Sequence, residues 1–148
     1  MTLYEFIEKH EGRRSKPYRC SGGKMTIGVG HNFDDNPLPN DIKKSLEQFG
    51  KIDDEQIDRL LNRDIRSAVH DCQVLFPSFN EFSDNRRMAL IDWMFQLGFR
   101  GVRNFKKAVK AINAEEWELA ARNMAESAWA REQTPKRAKE VIELIRVG

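Results

Sequence analysis

Residues 4–31, YEFIEKHEGRRSKPYRCSGGKMTIGVGH, constrain the fold most. Leu3, Phe6, Ile7 and His10 recur at helical spacing, so one stripe of a first helix faces a core. Glu11 stands at the end of that stripe. Gly12 follows it, a residue that ends helices because it takes a left-handed conformation at little cost. The Glu11 carboxyl group therefore hangs from a helix end, where an anion is disfavoured by roughly 0.3–1 kcal/mol and calls for a partner or a purpose. Beyond a Gly22-Gly23 turn, Met25, Ile27 and Val29 alternate with Lys24, Thr26 and Gly28, the pattern of a strand. A single acid thus lies just ahead of a small glycine-rich sheet.

The rest of the chain reads as helix after helix. Asn36-Pro37-Leu38-Pro39 is a loop, and Asn40 is placed to cap a short helix carrying Ile42, Leu46 and Phe49 and stopped by Gly50. Ile57, Leu60, Leu61, Ile65, Ala68, Val69 and Cys72 keep the helical period over residues 53–72. Pro77 breaks the chain within residues 75–83, and Asp84 opens a helix whose run from Met88 to Leu97 leaves little polar face, as in a buried central helix. Gly98 and Gly101 bracket its end. Phe105, Val109 and Ile112 suggest a further helix, and Asn113 with Glu116 forms a capping box for residues 115–124. Trp129 falls in a short turn. Thr134-Pro135 starts the last helix by the cap-then-proline rule, with Ala138, Val141, Ile142 and Ile145 as its buried stripe. The expected class is α+β in one domain of two lobes: a β-containing lobe over about 12–52, a linking helix over 53–74, and a helical lobe from 1–11 and 75–148. Clefts between lobes are common ligand sites.

Bulk properties narrow the function. With 148 residues, the chain can bury roughly two-thirds of its unfolded surface. A net charge of +2 with interspersed signs argues against a dedicated nucleic-acid binder, which carries a basic stripe. Cys20 and Cys72 have no metal spacing and are expected to be free thiols in a reducing cytosol. The opening MTLYEFIEKHEG has acids where a secretory signal has bases, and no stretch approaches the ~20 apolar residues of a membrane span. His10, His31 and His70 have no convincing ligand partners, so no metal or other cofactor is expected.

The ordered words Glu11-Gly12, Tyr18, Thr26-Ile27-Gly28-Val29-Gly30-His31, Phe95-Gln96-Leu97-Gly98, Gly101-Val102, Trp117 and Gln133-Thr134-Pro135-Lys136-Arg137-Ala138 run through nearly the whole chain. In order and spacing they resemble the phage-type lysozymes, most nearly the T-even phage lysozyme family. One departure matters: where that family usually has an aspartate in the turn after Tyr18, this chain has Cys20.

The resemblance assigns roles. Glycoside hydrolysis needs a proton for the leaving oxygen, and Glu11 in its acid form can give it; the plain alternative is a solvated glutamate at a helix end. Arg137 is implied as the partner of that acid, against the alternative of an exposed arginine among Lys136, Lys139 and Arg146. Cys20 takes the place of the second carboxylate. Three readings stay open for it: a thiolate substitute, favoured by Arg13, Arg14, Lys16, Arg19 and Lys24 nearby; a bystander; or a mark of lost activity. Thr26 is implied to hold the attacking water, which means inversion at the anomeric carbon, although threonine is also simply a good strand residue. Asp64 lies on the apolar side of the linking helix and should not be buried alone; His31 is its implied partner. Phe95, Gln96 and Asn123 match positions that line the sugar site, amides suiting sugar hydroxyls because they donate and accept; Asn32 is implied at its edge.

The resulting expectation is an endolysin of the lysozyme type, a bacteriolytic glycoside hydrolase. It would cut β-1,4 bonds between N-acetylmuramic acid and N-acetylglucosamine in bacterial peptidoglycan. It would act as a monomer, without nucleic acid or stable membrane association, made in the host bacterial cytoplasm and released to the wall by another route. A catalytically impaired peptidoglycan-binding protein and a lytic transglycosylase are the rival readings.

Overall fold

A computed structural model describes residues 1–148, which divide into two compact units, Met1–Asp64 and Ile65–Gly148. The first opens on α1 (Leu3–Glu11). Thr2 caps it by accepting the Glu5 N–H at 3.1 Å, and Gly12 ends it at φ 77° with its N–H on the Glu8 carbonyl. Three antiparallel strands follow, β1 (Arg14–Arg19), β2 (Met25–Gly28) and β3 (His31–Asn32), in that spatial order. Pro17 is tolerated because β1 is an edge strand. Arg13 fastens this region to the long helix α3 (Asp54–Leu75) through Glu8, Asp54 and Asp58, and the Tyr4 hydroxyl donates to Asn62 at 2.6 Å.

The chain is α+β and mostly helical, as its periodicity indicates. The helix termini differ in detail. Asn40 is not the cap of α2 (Asn40–Phe49) but its first residue, with Pro39 in the cap position. Gly50 stops that helix as expected, at φ 70°. The linking helix runs Asp54–Leu75 rather than 53–72. It begins in a reciprocal capping box: Asp53 accepts the Gln56 N–H at 2.8 Å while the Gln56 side chain accepts the Asp53 N–H at 3.0 Å.

In the second unit a short 3-10 turn (Phe79–Glu81) leads into α4 (Asp84–Arg103), which opens at Asp84 as expected and is capped by Ser83, whose hydroxyl accepts the Arg86 N–H. Its buried residues include Ala89, Leu90, Ile91, Trp93 and Met94, the central helix foreseen from composition. Gly98, at φ 75° and ψ 171°, kinks it, so the segment to Arg103 leaves in a new direction. Then come α5 (Lys106–Asn113), α6 (Trp117–Ala125), a π-helical turn (Trp129–Gln133) and α7 (Pro135–Val147). The capping box expected at Asn113 and Glu116 does not form: the Asn113 amide donates instead to the Leu75 carbonyl, an orphan acceptor at the end of α3, and α6 starts at Trp117 without a side-chain cap. Trp93, Phe105 and Trp129 pack edge-on or tilted at 5.2–6.4 Å between centroids, an aromatic core inside this unit. No helix is long and apolar enough to cross a membrane.

Candidate active site

The first unit holds six of the residues singled out above, Glu11, Cys20, Thr26, His31, Asn32 and Asp64. Glu11, the last residue of α1, is half-buried with its carboxyl group against Gly30. A Cβ on Gly30 would fall 2.7 Å from the Glu11 carboxyl carbon and 2.9 Å from its Oε1. Gly30 also sits at φ 69°, so its missing side chain is required both by the backbone and by the acid. Tyr18 lies opposite Thr26, and Thr26 opposite Asn32, which sets the three in one row on one face of the sheet. Burial raises the Tyr18 pKa first, and the negative charges of Glu11 and Cys20 raise it further, with Arg14 opposing. One phenol therefore feels both the acid and the sulfur. The Arg14 guanidinium stands 4.4 Å from the centre of its ring.

Cys20 occupies the first position of the hairpin turn. Its carbonyl accepts the Gly23 N–H at 2.8 Å and its N–H donates to the Lys24 carbonyl at 2.9 Å. That geometry turns backbone amides toward the side chain, as an aspartate in a turn would use them. The thiol pKa is lowered, chiefly by the Lys24 N–H, with the Gly22 N–H and the Thr26 hydroxyl assisting against desolvation. The direction is the one expected, but its cause is corrected: the neighbouring cations are engaged elsewhere. Arg13 binds three carboxylates, Arg14 covers Tyr18, Arg19 donates to the Gly23 carbonyl and Lys24 pairs with Asp35.

Thr26 is buried, and its hydroxyl lies 3.0 Å from the Lys24 carbonyl as donor, so its oxygen lone pairs remain as acceptors. Asn32 spends much of its amide on the next turn, accepting from the Asp34 and Asp35 N–H groups and donating to the Asp35 carboxylate at 2.8 Å. His31 is buried with Nδ1 2.7 Å from the Asp64 carboxylate and Nε2 3.0 Å from the Asn36 carbonyl, so the pair supports the strand end and gives the half-buried Asp64 the partner expected for it.

The second unit holds the others. Gln96, half-buried on α4, accepts from the Trp129 indole N–H at 3.0 Å and donates to the Thr134 hydroxyl at 3.1 Å, which ties α4 to the π-helical turn and to the start of α7. Phe95 and Asn123 are half-buried on α4 and α6. Arg137 is buried, not an exposed member of a lysine-arginine surface. Its Nε and one terminal nitrogen donate at 3.1 and 2.7 Å to the two oxygens of Asp92, which has no exposed surface. This is a fork-on-fork pair of the strong bidentate kind.

A family model described as phage lysozyme matches residues 8–143. The chain belongs to the phage lysozyme family. It is 30% identical to probable T4-type lysozyme 2 of Dictyostelium discoideum over 99% of this chain and 95% of that one. Probable T4-type lysozyme 1 of the same organism is 25% identical over the same shares. The pre-baseplate central spike protein Gp5 of Enterobacteria phage T4 is 30% identical over all of this chain and 28% of its own length.

Within this phage lysozyme chain, the first unit offers a carboxyl group at the end of α1, a thiol set among amides that favour its anion, and a buried hydroxyl acceptor. Those are the parts an acid-assisted displacement by water uses. Sequence reasoning missed three residues that shape them. Tyr18 was visible only as a motif word; its register opposite Thr26 gives it a place. Asp92 sits inside an apolar helical run, and an acid in such a run is itself a signal that a buried cation must answer it. Gly30 was visible as part of a strand, but not as the floor under Glu11.

Proposed function

We propose that the protein is an endolysin hydrolysing the β-1,4 bond between N-acetylmuramic acid and N-acetylglucosamine in bacterial peptidoglycan, acting on the wall after release from the cytoplasm and so lysing the cell. The observation that carries this reading is the Glu11 carboxyl group seated on Gly30, beside a phenol that also senses Cys20. Glu11 protonates the leaving glycosidic oxygen as the bond to the anomeric carbon breaks. Water adds its oxygen to that carbon, held by the Thr26 hydroxyl as acceptor. The Cys20 thiolate takes the proton the water loses and releases it to solvent, which returns a proton to Glu11. Attack from the face opposite the leaving group gives inversion. Following the resemblance, Arg137 supports the acid, and Phe95, Gln96, Asn123 and Asn32 bind the sugars. The His31–Asp64 pair holds the start of β3, directly after Gly30.

A second reading rests on one observation: the turn after Tyr18 carries a thiol instead of a carboxylate. A lytic transglycosylase works with one acid and closes an anhydro ring instead of adding water. Mass analysis of muropeptides released by wild type, Glu11→Gln and Cys20→Asp tests both. Hydrolysis predicts products carrying the added water, none from Glu11→Gln, and activity kept or raised in Cys20→Asp. Products lighter by one water favour the second reading. Undiminished release by Glu11→Gln removes both.

A further inference from the structure

Between Asp92 and Glu115 the chain carries no acid but five cations, Arg100, Arg103, Lys106, Lys107 and Lys110. All five are exposed, at the end of α4 and along α5, while Ala108, Ala111 and Ile112 fill the buried side of α5. The chain answers many of its other arginines internally: Arg13 with three carboxylates, Arg59 with two, Arg146 with two and Arg137 with Asp92. None of these five has an ion-pair partner; Arg103 only covers the Phe99 ring, at 5.6 Å. Of the bounding acids, Asp92 is committed to Arg137, and no ion pair joins Glu115 to any of the five.

This arrangement works against the fold. Lys106 and Lys107 stand in the first turn of α5, where the helix dipole repels cations, and no acid accompanies them there. Lys106 and Lys110 are a like-charge i,i+4 pair, about 6 Å apart along the axis and so within one Debye length. A concentration of charge that the fold itself does not answer fits an external polyanion. The character of the stretch selects among polyanions. The large exposed apolar side chains are Met1, Tyr4, Phe49, Val74, Leu119 and Val147, none of them on this stretch, so it has nothing to insert into a bilayer. It also presents no exposed aromatic on which bases could stack, since Phe99 is half-covered and Phe105 packs against Trp93 and Trp129.

We propose that Arg100, Arg103, Lys106, Lys107 and Lys110 form a docking surface for phosphate-bearing polymers attached to the bacterial wall, which holds the enzyme on its substrate. The proposal rests on peptidoglycan being that substrate. Its test is co-sedimentation of the Glu11→Gln chain, which leaves walls intact, with walls carrying their phosphate polymers and with walls stripped of them. If all five cations engage flexible phosphodiesters, log K falls against log salt with a slope of about −3.5, a loss of about a hundredfold between 50 and 200 mM. Adding Lys106→Gln, Lys107→Gln and Lys110→Gln should reduce the slope to about −1.4, whereas changing the same three to arginine should preserve it. The matched change of exposed Lys43, Lys44 and Lys51 to glutamine should leave the slope near its starting value. Equal binding to stripped walls, an unchanged slope in the α5 glutamine variant, or an equal effect from the Lys43, Lys44 and Lys51 set would overturn the proposal. So would tighter binding, at the same salt, to anionic lipid vesicles or duplex DNA than to intact walls. Failure of the hydrolytic reading would show separately, as absence of muropeptide release by wild type, and would not alter these sedimentation results.

Discussion

Replacing Asp92 by asparagine probes the most heavily buried charge in the molecule. Asp92 has no exposed surface and Arg137 is 7% exposed, so neither can turn to water when the other is lost. Asparagine keeps the shape but removes the charge, and it turns an N–H group toward one of the two guanidinium N–H groups that now meet oxygens at 2.7 and 3.1 Å. A buried ion pair broken from one side costs about 3–5 kcal/mol, because the surviving charge stays desolvated and has lost its bidentate carboxylate. For a chain of this length each kcal/mol moves the midpoint of thermal unfolding by about 3 °C, so Asp92→Asn should lower it by about 10–15 °C. Replacing both partners, as Asp92→Leu with Arg137→Met, removes the desolvated guanidinium as well and should recover at least half of that loss, yet the double variant should lyse walls poorly because Arg137 is one of the proposed supports of the acid. Arg59→Met is the surface control: its partners Asp41 and Glu55 are exposed, and no measurable loss is expected. Calorimetry of the four proteins at one pH decides the matter. An Asp92→Asn midpoint no lower than that of Arg59→Met would refute the argument that this pair is a desolvated, mutually dependent unit.

Three further outcomes follow from the geometry. Gly30→Ala should add about 1–2 kcal/mol of left-handed strain and push the Glu11 carboxyl group aside, lowering lytic activity about a hundredfold; Gly50→Ala, equally left-handed but facing open space, should lose stability alone, and similar activities in the two variants would contradict the placement of Glu11 on Gly30. Cys20 should alkylate with a pH midpoint below the ~8.5 of a free thiol, whereas burial pushes the Cys72 thiol up and keeps it unreactive until the protein unfolds. Because the Cys20 value is lowered, the stability its thiolate adds is present above the ordinary thiol range and lost as pH falls through the lowered value; mass spectrometry of iodoacetamide-treated protein against pH would expose the error if Cys72 reacted first. Trp129→Phe, which strands the Gln96 side-chain carbonyl, should destabilise by about 1 kcal/mol more than Trp93→Phe, whose buried indole N–H has no acceptor to lose; equal urea midpoints would count against that difference.

Much of this architecture was readable from local chemistry. The end of α1 at Glu11, the stop at Gly50, the buried run of α4 and the Thr134-Pro135 start of α7 each follow from a few adjacent residues, because caps, proline and amphipathic spacing act within one or two turns. What failed did so where a partner distant in sequence engaged the residue. Asn113 has the right neighbours for a capping box, but it is still the last residue of α5, its amide donates to the distant Leu75 carbonyl, and nothing within four residues announces that. Thr134 opens α7, yet its hydroxyl serves Gln96 on another helix instead of the helix it begins.

The candidate site follows the same logic, and Cys20 shows it most clearly. Counting charges along the sequence assigned its low pKa to five neighbouring cations. Those cations are long, flexible and free to choose partners, and four of them chose others. The backbone amides of Gly22 and Lys24 are different: the hairpin fixes them whether the first turn residue is an aspartate or a cysteine. An anion at this place is therefore favoured chiefly by the turn itself, with the Thr26 hydroxyl assisting, and not by neighbouring cations. A chain that loses the carboxylate here keeps the environment that would hold a negative charge, and a thiol is among the few neutral replacements that can become an anion and use it. On that argument, the cysteine variant of this turn retains part of the chemistry that a serine variant, with no ionisable proton in the working range, would give up.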